Sequence, residues 1–245
     1  GMGEIHLEVL AGKLANKFGA EVLLDIPKVP YRETIKSTSK VEGKHKKQSG
    51  GRGQFGHVCI KFMPMESEEN NFEFEDKTFG GSVPKQYIPA VDKGLREAIK
   101  EGVLAGYPMV GLKAILYDGS FHPVDSSEMA FKVAASLAYK KGVAEAKPVL
   151  LEPVMDTTVV VPDNYMGDII GDMTKRRGRV LGMEPVDGMQ HIKAQVPMSE
   201  MFRYATDLRS MTQGRGSFSS VFSHYEEVPA VMADKIIQEA KETAG

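Results

Sequence analysis

The sequence predicts an α+β protein of more than one domain: a β-α-β unit followed by a ferredoxin-like, split β-α-β unit with a C-terminal helix. Three observations predict it. Segments apolar at every second position and rich in Val, Ile and Phe are interleaved with segments whose apolar residues recur at three and four. Prolines punctuate the chain at Pro27 and Pro30 and again at Pro148 and Pro153. The length, 245 residues, suits one large or two ordinary domains.

Taken in order, Ile5, Val9, Leu10, Leu14 and Phe18 make one helical face that Gly19 ends, and Ala20–Leu24 reads as a strand. One helix and one strand cannot bury that face alone, so this stretch reads as the tail of a domain. Tyr31–Glu42 alternates loosely, Val58–Phe62 alternates well, and Phe72–Phe79 gives a further strand. Tyr87, Ile88, Val91, Leu95, Ala98 and Ile99 form a helical stripe, with Pro89 tolerated in the first turn. A strand follows over Val110–Tyr117, and Asp118-Gly119 reads as a turn. Asp125 with Glu128 three residues on reads as a capping box for an alanine-rich helix that Gly142 closes.

Beyond Pro153 the pattern is cleaner. Val154–Val161 is a β-branched strand, Asp163–Arg177 a helix, and Val180–Val186 and Met189–Val196 are strands joined at Asp187-Gly188. Ser199–Met211 is a helix, Ser217–Tyr225 a strand and Val228–Ala240 a terminal helix. The order β-α-β-β-α-β is the split arrangement of a ferredoxin-like domain. Gly214 and Gly216 turn the chain from helix to strand.

Composition narrows the function. A hydrophobic fraction of 42% and a charged fraction of 26% are those of a soluble globular protein. No stretch approaches the roughly 20 apolar residues of a membrane span, so no membrane partner is expected. The single cysteine, Cys59, excludes an internal disulfide, sits on an alternating strand where it reads as buried, and fits a reducing cytoplasm. Net charge is only -2, but it is unevenly spread. Lys40–Arg52 is basic apart from Glu42, whereas Glu66–Asp76 holds six acidic residues and no basic one. A near-neutral chain with such a basic loop can still hold phosphates locally. The six histidines have no metal-ligand spacing, and no phosphate-binding loop or nucleophile with its base is evident. The sequence therefore reads as a binding protein without catalytic residues, metal or cofactor of its own.

One motif argues for a different class. Gly51, Gly53 and Gly56 have the G-x-G-x-x-G spacing of a dinucleotide-binding enzyme. That fingerprint must follow a strand and open a helix, because the helix N-terminus holds the pyrophosphate. Here His57-Val58-Cys59-Ile60-Lys61-Phe62 continues as a strand and Lys44-His45-Lys46-Lys47 precedes, so the expected role is a glycine loop that approaches a polyanion.

Six stretches in order, "GMGEIHLEVL", "QSGGRGQFG", "VDSSEMAFK", "KPVLLEP", "GDIIGDMTKRRG" and "VPMSEMFRYATDLRS" with its following "GRGSF", resemble the C-terminal half of elongation factor G, the bacterial translational GTPase. The resemblance implies that residues 1–25 end the third domain, 26–149 are the fourth domain and 150–245 the fifth. It implies a cytoplasmic, monomeric translocase whose GTPase domain, with GTP and Mg, lies outside this chain. The fourth domain is then the tip that enters the decoding region of the small ribosomal subunit, where it contacts tRNA and mRNA through two loops. On this sequence those loops are Gln48, Ser49, Gly50, Gly51, Arg52, Gly53 and Gln54, and Ser120–Ser127.

Arg52, Lys46 and Lys47 suit phosphates, and Gln48 and Gln54 suit 2′-hydroxyls or base edges. In the second loop Asp125 is assigned to capping, and direct contacts to His122, Ser126 and Ser127. Lys175, Arg176 and Arg177 end a helix, where they either complement its dipole or contact large-subunit RNA near the GTPase-activating region. The basic stretch before the glycines and Pro123 after the histidine look more like the divergent, duplicated elongation factor G, which leaves ribosome recycling or rescue as the alternative activity.

Overall fold

The computed structural model describes residues 4–23, 27–48, 53–65 and 71–244. It is α+β, with two sheets and, among the described residues, six α-helices. The chain divides into two units, residues 1–30 with 152–226 and residues 31–151 with 227–245.

The second of these units holds the sheet β2 (Ser39–Lys47), β3 (Gln54–Pro64), β5 (Leu112–Ser120) and β4 (Phe72–Asp76), in that spatial order. β2, β3 and β5 are antiparallel neighbours, and β4 runs parallel to β5. Parallel neighbours need a long crossover, and α2 (Ile88–Ala98) supplies it. Helix α3 (Glu128–Glu145) packs on β2 and β3 and beside α2. Alternation along the strands sends Val41, Val58, Ile60, Phe62, Leu112, Ala114 and Leu116 into one core with Val91, Leu95, Phe131, Ala134, Ala138 and Tyr139 of the helices. A fully buried carboxylate, Glu33, accepts from the amides of Leu104, Ala105 and Tyr107 at 2.9–3.2 Å, which ties down the loop after α2.

Gly56 explains the third glycine of the motif. A Cβ there would stand 2.5 Å from the carbonyl of Ala130, so only glycine lets α3 lie this close to β3. The residue serves packing of helix on strand, and the chain after it is a strand, as its alternation predicts.

The other unit carries β6 (Pro148–Pro162), α4 (Met166–Lys175), β7 (Arg179–Val186), β8 (Met189–Pro197), α5 (Tyr204–Met211) and β9 (Ser217–Glu227). The unit boundary falls inside β6, whose first residues pair with β1 (Arg32–Ile35) in the unit just described. Spatial order is β9-β6-β8-β7, with the central β6 flanked by strands distant in sequence, as in a ferredoxin-like sheet. Val159, Val161, Ile192, Ala194 and Val196 of the strands bury against Ile169, Met173, Tyr204 and Leu208 of the helices. Asp187 and Gly188 take φ of 50° and 76°, the paired left-handed conformation of a two-residue hairpin turn. Helix α1 (Glu4–Phe18) ends at Gly19, and its Leu7, Val9, Leu10, Leu14 and Phe18 are exposed. Helix α6 (Ala230–Ala244) groups with the second unit.

Several local expectations differ. Residues 20–23 form no strand. Tyr31–Glu42 is two strands, because the amides of Lys36 and Ser37 turn away to the Ala146 carbonyl before β2 begins. The basic run Lys44–Lys47 is strand β2 and not loop. β4 stops at Asp76, whose Oδ1 accepts from the amide and hydroxyl of Thr78. Asp118-Gly119 lies within β5: Gly119 packs on the His57 carbonyl of β3, leaving no room for a Cβ. Gly142 sits inside α3 and makes space for the Phe62 ring. Two predicted helices begin with a short 3-10 turn, Asp163–Tyr165 before α4 and Met198–Glu200 before α5.

Candidate nucleic-acid interface

The sequence separates the two predicted loops by about seventy residues; the fold joins them. β2 and β3 form one hairpin, and β5, hydrogen-bonded to β3, delivers the second loop beside it before α3 begins. Asp125 is the connector. Its Oδ1 accepts from the Gly53 amide at 3.0 Å, and its carbonyl accepts from the Phe55 amide at 2.8 Å. Ser126 completes the seam: its hydroxyl donates to the Phe55 carbonyl at 2.9 Å and accepts from the His122 amide at 2.9 Å. The expected capping box is therefore wrong in both members, since Glu128 is the first residue of α3 and not its third. Ser127 is the N-cap of α3, its side chain accepting from the Ala130 amide at 3.2 Å, while Asp125 holds the neighbouring loop.

These bonds sort the predicted contact residues. Ser126 is buried with its hydroxyl engaged on both sides, and Ser127 is committed to the helix, so both shape the loop. His122 is different, since half of its side chain is exposed. Its Nδ1 faces the amides of Val124 and Asp125 at 3.3 and 3.2 Å, which makes Nδ1 the acceptor and leaves Nε2 as the N–H donor. The Phe55 ring lies 6.4 Å from the imidazole, and the Lys44 ammonium is over that same phenyl ring, 5.8 Å from its centroid. Lys46, Lys47, Gln48 and Gln54 are exposed at the same end of the hairpin, and Gln54 Oε1 is 2.8 Å from His45 Nε2. Ser49, Gly50, Gly51 and Arg52 lie outside the described residues.

The second basic cluster resolves otherwise. Arg176 bonds Asp172 at 2.7 Å, the Glu200 carbonyl at 2.7 Å and Asp207, with its guanidinium 5.0 Å from the Tyr204 ring centre. Arg177 grips the buried Glu152 with two nitrogens, at 2.6 and 2.9 Å, and also reaches Glu200 and Ser199. The hydrogen bond to Glu152 is the main reason the Arg177 pKa is raised, against the opposing effect of burial. Both guanidiniums are engaged by carboxylates of the fold. Lys175 alone of the three is exposed.

The chain thus combines a hairpin-tipped α+β unit, with exposed lysines beside its loops, and a ferredoxin-like unit. Residues 27–147 match the family description "Elongation factor G, domain IV", and residues 149–236 match "Elongation factor G C-terminus". Among solved structures, a crystal structure of a protein from Thermus thermophilus is similar at 46% identity and a TM-score of 0.87, over 98% of this chain and 36% of that one. The chain belongs to the elongation factor G family. It thus spans about a third of the length of that relative, and the domains it matches are domain IV and the C-terminal domain. Among the described residues, no helix is long and apolar enough to cross a membrane.

Proposed function

We propose that this chain is the ribosome-binding part of a translocase, with residues 26–149 as a tip that enters the A site of the small ribosomal subunit, holding the tRNA–mRNA duplex forward. The observation that carries the reading is the seam through Asp125 and Ser126, which ties the second loop to Gly53 and Phe55 at the start of β3, beside exposed His122, Lys46 and Lys47. A preformed surface loses little conformational freedom on binding, so its contacts act fully on the RNA. The His122 N–H suits a phosphate or 2′-oxygen, the lysines suit backbone phosphates, and the Gln48 and Gln54 amides suit ribose or base edges. The family resemblance adds Arg52, Gly50, Gly51 and Gly53 to the proposed RNA contacts. GTP and Mg bind in a domain outside this chain, and hydrolysis there drives the movement that the tip converts into displacement.

The test uses the full-length protein. His122→Ala slows single-round translocation while ribosome-stimulated GTP hydrolysis stays near the unmodified rate. Parallel collapse of both would show that the tip and the nucleotide site are not divided as proposed.

A further inference from the structure

The face of the β2–β3–β5 sheet that points away from α2 and α3 carries a cluster the ribosome reading does not use. Strand register builds it. Glu42 of β2 lies directly opposite Cys59 of β3, and His57 stands two residues from Cys59, hence on the same face. Opposite His57 on β5 is Ser120, and opposite Cys59 is Asp118. One ligand atom from each of Glu42, His57 and Cys59 lies within 4.8 Å of the others. His57 Nε2 is 3.7 Å from a Glu42 carboxylate oxygen and 3.8 Å from Cys59 Sγ, too far for a strong hydrogen bond in the first case.

Those separations suit a shared cation. Zinc bonds to nitrogen, oxygen and sulfur of about 2.0–2.3 Å, arranged tetrahedrally, put neighbouring ligand atoms roughly 3.3–3.7 Å apart. The ring is also oriented for ligation. His57 Nδ1 is 2.8 Å from Ser120 Oγ; in the tautomer whose Nδ1–H donates to that hydroxyl, the Nε2 lone pair faces Cys59 and Glu42. Lys44, which faces His57 in the register, has its ammonium over the Phe55 ring, and Asp118 adds a second carboxylate to the row of Cys59.

We propose that Glu42, His57 and Cys59 form a zinc site with one open coordination position, clamping β2 to β3 midway along the hairpin. A thiolate, an imidazole and a carboxylate are the donor set zinc prefers over the hard cations magnesium and calcium. On binding, the Sγ–metal bond replaces the S–H bond, and the thiol proton goes to solvent. The sequence hides this site because its ligands are contributed across a strand pair, Glu42 lying fifteen residues before His57 with no motif between them.

The experiment titrates the reduced, purified chain with Co²⁺ and then displaces it with Zn²⁺. One cobalt per chain, a near-ultraviolet sulfur-to-cobalt charge-transfer band and visible bands of tetrahedral intensity are expected. Cys59→Val fits a buried strand position; it abolishes the sulfur band while circular dichroism reports an intact fold. Ser120→Ala weakens zinc about 10-fold by freeing the imidazole. Glu42→Gln, on an exposed side chain, weakens zinc at least as much. Absence of the sulfur band in the unmodified chain, or zinc affinity unchanged in both Glu42→Gln and Ser120→Ala, would overturn the site and assign any bound metal to other histidines.

Discussion

Two basic runs, Lys44–Lys47 and Lys175–Arg177, look alike as sequence and differ once folded in what their cations meet. Arg176 and Arg177 end α4 against carboxylates of several different elements, one of them the buried Glu152. Lys46 and Lys47 stand on a hairpin strand, and among the described residues no carboxylate pairs with either. The lesson is that a cation's neighbours, and not its density along the chain, decide whether it serves the fold or a partner. Planar guanidinium, which can satisfy two carboxylates at once, is used internally; the compact ammonium, strongly hydrated, is left at the surface.

The largest expected effect tests the internal side. Arg177→Ala leaves Glu152 buried without its partner and lowers unfolding free energy by about 3–5 kcal/mol, as read by denaturant melts. A loss under about 1 kcal/mol would mean that Glu152 is solvated and that Arg177 is free for RNA after all. Next comes the seam. Asp125→Ala removes the acceptor for the Gly53 amide and costs about 1–3 kcal/mol. Amide exchange should quicken at Gly53 and stay unchanged in α4; equal acceleration in both would make the loss global and the seam irrelevant. The smallest effect on stability falls on the other run. Neutralising Lys46 and Lys47 together should shift unfolding by no more than about 0.5 kcal/mol per residue. It should also lower the slope of log affinity for ribosomes against log salt by about 1.4–1.8. An unchanged slope would leave these lysines as ordinary solvated surface and erase the contrast between the runs.

Much of the architecture was legible in the sequence because it rests on local periodicity. The ferredoxin-like order, the hairpin at Asp187-Gly188 and the stripe of α2 all follow from spacing within a dozen residues. Errors arose where a residue answers to a distant one. Asp118-Gly119 has the composition of a turn, but pairing with β3 carries the strand through it. Gly142 looks like a helix end, yet it is small to admit Phe62, eighty residues earlier. Asp125 has the spacing of a cap, but its partner is Gly53. The bond that joins Gly53 to Asp125 was not legible, since a contact across seventy-two residues leaves no local trace.

That bond divides the two loops unequally. The second loop contributes side chains, the Asp125 carboxylate and the Ser126 hydroxyl, while the first answers with main-chain groups of Gly53 and Phe55. Substitutions at 54 and 55 therefore leave the crosslinks themselves intact, whereas 125 and 126 have almost no latitude. A randomised library across both segments should return consensus at one and diversity at the other, so recognition could be retuned on one side without rebuilding the support.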